Sequence, residues 1–208
     1  MSLAEQLAQG VAELGLRVPA ATRHKLLDYL ALIAKWNRVH NLTAVRESAR
    51  MVSDHLLDCL AVVPHLDARS TLDVGSGAGL PGIPLALMWP QASVTLLDSN
   101  HKKAAFLRQA TIELGLKNTE VVCDRVESWQ PQREFELVIS RAVSDLPELL
   151  NLAGRLCAAD GTVAAMKGLY PHEELAQLPS GFNLRGVVAL KVPGMRAQRH
   201  LVLLNPVR

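Results

Sequence analysis

Cysteine is scarce in this chain, which has three cysteines among 208 residues: Cys59, Cys123 and Cys157. They are odd in number, lie far apart in the sequence and have apolar neighbours. This pattern indicates neither a disulfide framework nor a zinc site. We therefore expect no bound metal, and we expect the protein to reside in a reducing compartment, the cytoplasm.

Long apolar segments are also missing, since no run of about 18 uncharged apolar residues occurs. The first residues, from Met1 to Glu5, contain neither the charged nor the apolar region of a signal peptide. These absences predict a soluble, unprocessed protein with no membrane partner. Hydrophobic residues nevertheless make up 49% of the chain, enough for the core of one α/β domain with a modest extension.

A strong net charge is absent as well, because the formal charge at pH 7 is only +2. The distribution is more informative than the total, since no acidic residue occurs from Leu175 to the C-terminus. The basic residues of this stretch are Arg185, Lys191, Arg196, Arg199 and Arg208, with His200 beside Arg199. The first fifty residues likewise contain seven lysines and arginines against four acids. Either these ends share an anion-binding surface, or they are ordinary solvated faces.

Hydrophobic periodicity divides the chain into two parts. Apolar residues recur at helical spacing in the N-terminal third and predict three helices, containing Leu3 to Leu14, Leu26 to Ala34 and Leu56 to Val63. After Ser70, strand and helix patterns alternate. We therefore predict a helical extension over residues 1–69 and an α/β unit over residues 70–208.

The alternating part predicts a doubly wound, mainly parallel sheet with helices on both faces. Its strands are predicted near 71–74, 93–97, 120–123, 136–140 and 161–166, and its helices near 82–88, 101–114 and 145–156. Two further apolar runs, Leu184–Val192 and His200–Leu204, are joined by Pro193-Gly194. They predict a closing antiparallel pair of strands.

A glycine-rich loop follows the first predicted strand, with Gly75, Gly77 and Gly79 directly after the strand-end acid Asp73. Glycines allow positive φ and close approach of a ligand to the backbone. A second acid, Asp98, ends the next strand, where a carboxylate can accept hydrogen bonds from both hydroxyls of a ribose. Together these features predict a site for a nucleoside-containing cofactor.

Two cofactors fit this spacing, because residues 77–82 also match the G-x-G-x-x-G pattern of dinucleotide sites. The carboxylate of Asp73 would repel a pyrophosphate, whereas it would attract the cationic α-amino group of S-adenosylmethionine. We therefore favour S-adenosylmethionine, and an NAD-dependent oxidoreductase remains the alternative.

Polar residues at the ends of the other strands belong to the same expected crevice, since ligands of such sheets bind beyond the carboxyl ends of the strands. They lie in the 123–127 segment, at Ser140-Arg141 and at Lys167-Gly168. His55 and Asp58, three residues apart on a predicted helix, have no third ligand nearby. They are therefore not expected to bind a metal.

Several motifs together resemble the GidB/RsmG family over essentially the whole chain. They are residues 36–43, the glycine loop with its continuation through Pro84, Leu97-Asp98-Ser99, residues 139–142, Met166-Lys167-Gly168 and Arg199-His200-Leu201. Members of this family are bacterial methyltransferases that use S-adenosylmethionine to methylate N7 of a guanosine in the 530 loop of 16S ribosomal RNA. The resemblance implies a class I methyltransferase fold, a Rossmann-like seven-stranded sheet, and cofactor contacts at Gly75, Leu80, Val126, Glu127 and Arg141.

The chemistry of guanine N7 limits what the protein must supply. N7 carries a free lone pair, so it can attack the methyl group without a general base, and catalysis depends on proximity and alignment. We accordingly expect no acid or base residue, with Arg141 and Lys167 in positioning roles. Candidates for RNA contacts are Arg125, Lys167, Arg199 and His200.

The expected partner is 16S ribosomal RNA in the small ribosomal subunit or its precursor, and we expect a monomer. Two further alternatives remain open. One is a non-catalytic RNA-binding or ribosome-assembly factor with a methyltransferase fold. The other is a methyltransferase of small molecules, which the acid-free C-terminal stretch and the helical extension disfavour.

Overall fold

One seven-stranded sheet forms the centre of the protein, in a computed structural model that describes residues 1–141 and 145–207. The strands are β1 (Ser70–Val74), β2 (Ser93–Leu97), β3 (Thr119–Val122), β4 (Phe135–Arg141), β5 (Cys157–Lys167), β6 (Phe182–Leu190) and β7 (Arg199–Pro206). Ala142, which ends one predicted motif, and the basic Arg208 lie outside the described residues.

The strand order is β3-β2-β1-β4-β5-β7-β6. Strands β1 to β5 pair in parallel, whereas β7 runs antiparallel to both β5 and β6. This arrangement confirms the mainly parallel sheet and the closing antiparallel pair. The order reverses between β1 and β4, and the crevice at such a point is the usual ligand site of an open α/β sheet.

Eight α-helices are described, of which the last four lie among the strands. They are α1 (Leu3–Glu13), α2 (Ala20–His40), α3 (Ser48–Met51), α4 (Asp58–Leu60), α5 (Gly82–Met88), α6 (His101–Glu113), α7 (Leu146–Ala153) and α8 (His172–Leu175). None of the helices in these described parts is long and apolar enough to cross a membrane.

The third helix predicted from the sequence is not a regular one. A six-residue π-helical segment, Val52–Leu57, separates α3 from α4. π-Helical turns are rare and occur often at functional sites. The segment brings two acidic residues, Asp54 and Asp58, into contact with the sheet, as described below.

Helices cover both faces of the sheet. On one face, residues of α1, α2, α5 and α6 share one apolar core with β2, including Leu7, Ile33, Ile83, Leu96 and Phe106. On the opposite face, α7 packs on side chains from β1, β4, β5 and β7. The N-terminal helices are therefore part of the main core and do not form a separate cluster.

Candidate functional site

The loop between β1 and α5 has the backbone conformation that its glycines predict. Gly75, Gly77 and Gly79 have φ values of 66°, 61° and 88°, a region that other residues rarely adopt. Gly82 is required for a different reason. A Cβ atom there would lie 2.2 Å from Leu96 Cδ2 and 2.7 Å from Asp73 Oδ2. The loop therefore packs tightly on the ends of β1 and β2.

Asp73 is completely buried under this loop. Its Oδ2 accepts hydrogen bonds from Ser76 Oγ at 2.6 Å and from the Gly82 amide at 2.9 Å. Its Oδ1 has no hydrogen-bond partner among the described residues. Burial raises the pKa of Asp73 to about 6, against the effect of the two hydrogen bonds. Asp73 thus fixes the loop and retains one buried oxygen that a cationic ligand group would satisfy.

Asp98 connects the loop to the next strand. Its Oδ2 accepts from the Gly77 amide at 2.8 Å, and its Oδ1 accepts from the Asn100 amide at 2.8 Å. The Asn100 side chain in turn caps α6. Asp98 also lines a cleft of about 350 Å³ at the carboxyl ends of β1, β2 and β3. This volume is within the range of small-molecule sites.

Four of the nine predicted cofactor residues line this cleft, namely Gly75, Asp98, Val126 and Glu127. The predicted residues Asp73, Gly77, Gly79 and Leu80 are not among the residues that line it. Arg125, which we predicted to contact RNA, lines it as well. The polar lining is completed by Ser99, Lys103 and Asp124. Asp124 was expected in the crevice only as part of the 123–127 segment, and Ser99 only as part of a family motif. Lys103 was not predicted, because it lies within α6 and not at a strand end.

Most backbone amides of the glycine loop donate hydrogen bonds to acceptors within the protein. Gly79 and Leu80 both donate to the Ser76 carbonyl, at 2.8 and 3.1 Å. Further amides with internal acceptors are those of Ser76, Gly77, Gly82 and Ile83. A loop that binds pyrophosphate uses such amides as donors to the phosphates. This loop has few left for that purpose, and its helix N-terminus already contacts a carboxylate.

Tyr29, on α2, connects the N-terminal helices to the loop. Its hydroxyl donates a hydrogen bond to the Ala78 carbonyl, and the side chain is fully buried. Burial raises the pKa of Tyr29 well above its ordinary value, so the hydroxyl remains a donor. Tyr29 was not predicted as part of the site, because its position fits the apolar face of α2.

Arg141 and Arg199 meet on one carboxylate. Arg141 Nη1 lies 3.1 Å from Asp58 Oδ2, and Arg199 Nε lies 3.1 Å from Asp58 Oδ1. Asp58 follows the π-helical segment, whereas the arginines belong to β4 and β7. Arg141, which we predicted to contact the cofactor, is not among the described residues that line the cleft around Asp98. Asp58, considered in the sequence only as half of a His/Asp pair, is therefore the shared partner of two predicted site residues.

Three of the predicted RNA contacts lie together where β5 ends and β7 begins. Lys167 and His200 face each other in the register of these strands, next to Arg199. Lys167 Nζ forms an ion pair of 2.7 Å with Glu174, and His200 Nδ1 lies 2.8 Å from the Gly168 carbonyl oxygen. Arg125, in contrast, follows β3 on the other side of β1. The predicted group is thus divided between two places.

Two other strand-end or helical candidates have structural partners. Ser140 is buried and donates to the Val74 carbonyl at 2.9 Å, so its hydroxyl joins β4 to β1 instead of facing the crevice. His55 Nε2 lies 2.9 Å from Thr43 Oγ1, and burial lowers the pKa of this histidine. No cluster of three or more metal-ligating side chains occurs in the part of the chain that the structure describes.

This combination of sheet, glycine loop and strand-end acids defines a class I methyltransferase fold, and solved structures agree. The glycopeptide N-methyltransferase MtfA complexed with S-adenosyl-L-homocysteine superposes with a TM-score of 0.64 at 12% identity, over 74% of this chain and 87% of that one. A SAM-dependent methyltransferase from Aquifex aeolicus gives a TM-score of 0.56 at 19% identity, over 72% and 90%. The predicted fold class is confirmed.

Comparison of sequences identifies the family. The family model described as rRNA small subunit methyltransferase G matches residues 22–202. Proteins named "Ribosomal RNA small subunit methyltransferase G" from Laribacter hongkongensis and Nitrosospira multiformis are each 56% identical to this chain. The alignments cover 99% of this chain and 99% and 98% of those proteins, respectively. The chain belongs to the rRNA small subunit methyltransferase G family, which confirms the resemblance drawn from its motifs.

Proposed function

We propose that this protein transfers a methyl group from S-adenosylmethionine to N7 of a guanosine in the 530 loop of 16S ribosomal RNA. The observation that carries the proposal is the full-length similarity to small-subunit rRNA methyltransferases. The loop and acids of the cleft are intact in this chain, which argues against a non-catalytic assembly factor.

The residues of the cleft fit the cofactor. Asp98, at its base, can accept hydrogen bonds from the ribose hydroxyls. The unpaired Oδ1 of Asp73 is buried beneath the loop and does not line the cleft, and its charge suits a positively charged amino group. Gly75 and Val126 line the same cleft as Asp98. When bound, S-adenosylmethionine supplies a methyl group on a sulfonium centre that is open to attack.

A dinucleotide fits less well. The loop amides that would bind a pyrophosphate are hydrogen-bonded within the protein, and Asp73 and Asp98 place negative charge against the loop. Three acids but only two basic residues line the cleft: Asp98, Asp124 and Glu127 against Lys103 and Arg125. These charges favour a cationic amino-acid end over a pyrophosphate.

The reaction at N7 requires orientation and not proton transfer. Because the N7 lone pair is free, the side chains need only hold the base and the methyl group in line, which accounts for several powers of ten in rate. A bidentate arginine contact to guanine O6 and N7 would block the nucleophile. Arg141 is instead assigned to orientation, since its guanidinium is already held by Asp58.

We assign the RNA phosphates to the place where β5 ends and β7 begins. Lys167, Arg199 and His200 lie there, beside the crevice. Phosphate contacts give most of the affinity and fix the position of the substrate. Arg125 lines the cofactor cleft, so its contact with RNA would be at the cleft entrance. The substrate in this proposal is the small ribosomal subunit or its precursor in the cytoplasm, bound by a monomer.

Two measurements test the proposal. Titration calorimetry should detect binding of S-adenosylhomocysteine and no comparable binding of NAD. Radiolabelled S-adenosylmethionine should then transfer its methyl group to small ribosomal subunits that lack the modification. Tighter binding of NAD would contradict the cofactor assignment, and cofactor binding without label in the RNA would contradict the substrate assignment.

A further inference from the structure

Asp58 is a carboxylate that two arginines share, although it is almost completely buried. Its side chain is 2% exposed, and each of its oxygens lies 3.1 Å from a different guanidinium. Burial raises the pKa of Asp58, and both arginines oppose this effect. Burying a carboxylate is costly unless it is paired and hydrogen-bonded, so the three side chains form one interdependent unit.

The π-helical turn before Asp58 adds a second acceptor for Arg141. The amide of Asp58 donates to the carbonyls of Ser53 and His55, and not to that of Asp54, which is its partner in a regular α-helix. The Asp54 carbonyl instead accepts from Arg141 Nη1 at 3.0 Å. One nitrogen of Arg141 is therefore held by both a backbone oxygen and a carboxylate of the same helical segment.

Arg141 and Arg199 retain positive charge and hydrogen-bond donors that Asp58 does not occupy. Two guanidinium groups on one carboxylate leave one positive charge in excess. Within the described residues, Arg141 Nε and Nη2 and Arg199 Nη2 have no hydrogen-bond acceptor. The side chains remain 21% and 27% exposed. Both lie where the parallel strands of the sheet end, because Arg141 ends β4, and Arg199 begins β7, which runs antiparallel to β5.

We propose that Asp58 and the π-helical turn are positioning elements that hold Arg141 and Arg199 as a pair which binds one phosphate group of the RNA. Guanidinium groups bind phosphate oxygens through paired N–H donors, and fixing their orientation in advance reduces the entropy lost on binding. The inference rests on the proposed function for the identity of the substrate, and it adds the phosphate subsite and the residues that orient it.

Net charge and positioning predict opposite effects of Asp58→Asn on the affinity for RNA. Asp58→Asn makes the protein more positive, which by itself would strengthen RNA binding. Loss of positioning would weaken it. We expect affinity for a fluorescein-labelled single-stranded RNA, measured by fluorescence anisotropy, to fall about tenfold in Asp58→Asn. Asp28→Asn is the matched control, because it makes the same change at an exposed carboxylate on α2.

Asp58→Asn leaves two partly buried arginines without their carboxylate, which lowers the stability of the fold. A second variant therefore tests the proposal without removing that carboxylate. Arg199→Gln retains the pair of Asp58 with Arg141 and removes one phosphate donor. We expect it to weaken RNA binding and to reduce the slope of log affinity against log salt by about one. Affinity for S-adenosylhomocysteine should stay within about twofold in both variants, since neither residue lines the Asp98 cleft as described.

The outcomes separate the inference from the proposed function. Unchanged RNA affinity and salt slope in Arg199→Gln, or unchanged or tighter RNA binding by folded Asp58→Asn, would overturn the inference. Loss of S-adenosylhomocysteine binding with intact RNA binding would assign the arginine pair to the cofactor and would overturn it as well. If both variants weaken RNA binding but the protein without substitutions methylates no small subunit, the phosphate site is supported and the proposed reaction is contradicted.

Discussion

Two single carboxylates determine the shape of the glycine loop. Asp73 and Asp98 each accept backbone amides of the glycine loop, so the loop conformation depends on them before any ligand binds. The sequence placed these two acids at strand ends beside the loop, because strand ends and glycines are local signals, and their contacts with the cofactor remain predictions. It could not predict Asp58, whose arginine partners are 83 and 141 residues away along the chain.

Replacing Asp98 with alanine should weaken cofactor affinity. The substitution removes the acceptor assigned to the ribose and releases the Gly77 amide, which lies 2.8 Å from Oδ2. Hydrogen bonds to charged groups contribute about 1.5–3 kcal/mol each, so we expect at least about a tenfold rise in the dissociation constant of S-adenosylhomocysteine. Calorimetry checks this, with the exposed Asp67→Ala as control. Equal affinity in Asp98→Ala would remove Asp98 from the site.

Asp73 should make the stability of the ligand-free protein depend on pH. Its pKa is raised from 3.8 to about 6, so folding favours its protonated form. The corresponding stabilisation is complete below about pH 4 and is lost as the pH rises through about 6. Urea unfolding of the protein and of Asp73→Asn should therefore show that the protein loses stability relative to the variant over this interval. A constant difference would contradict the raised pKa.

Cofactor binding should depend on the same group with the opposite sign. The ionised form of Asp73 attracts the amino group of the ligand, so affinity for S-adenosylhomocysteine should rise as the pH increases through about 6. Calorimetry at several pH values measures this rise. In Asp73→Asn the rise should disappear, and its persistence would exclude Asp73 as the partner of the amino group.

At the scale of elements, periodicity predicted the strands and most of the regular helices, but α2 (Ala20–His40) extends well beyond the predicted Leu26 to Ala34, and the short α8 was not predicted. Helix α5, predicted near 82–88, is observed at Gly82–Met88, and β2, predicted near 93–97, is observed at Ser93–Leu97. The π-helical segment Val52–Leu57 was not predictable, because its apolar spacing resembles that of an α-helix. Its shape is linked to a contact with β4, which lies far away in the sequence.

Helix α2 should influence the cofactor loop through Tyr29. In Tyr29→Phe the Ala78 carbonyl loses a buried donor, which we expect to cost about 1–3 kcal/mol of stability. Because Ala78 lies in the glycine loop, affinity for S-adenosylhomocysteine should also fall several-fold. Chemical denaturation and calorimetry measure the two effects. Tyr170→Phe, which removes a hydroxyl from a ring that is 40% exposed, is the control and should change neither quantity. Unchanged stability in Tyr29→Phe would contradict the assigned bond.

For the whole molecule, the extension and the α/β unit should unfold together. Residues of α1 and α2 share a core with α5, α6 and β2, so neither part retains its apolar contacts alone. We predict a single calorimetric transition whose calorimetric and van't Hoff enthalpies agree. Two separate transitions would show that residues 1–69 and 70–208 fold independently. The start of the first strand at Ser70 was predictable from the change in periodicity, but the shared core was not, because it depends on tertiary packing.

The most direct test of the central claim is to locate the methyl group on the RNA. Small ribosomal subunits that lack the modification are incubated with the protein and labelled S-adenosylmethionine, and the modified nucleotide is identified by mass spectrometry of RNA fragments. We expect one 7-methylguanosine, in the 530 loop, and about a tenfold lower initial rate of its formation with Asp98→Ala at limiting cofactor. Label at another nucleotide or another atom, or no label in RNA despite cofactor binding, would contradict the central claim.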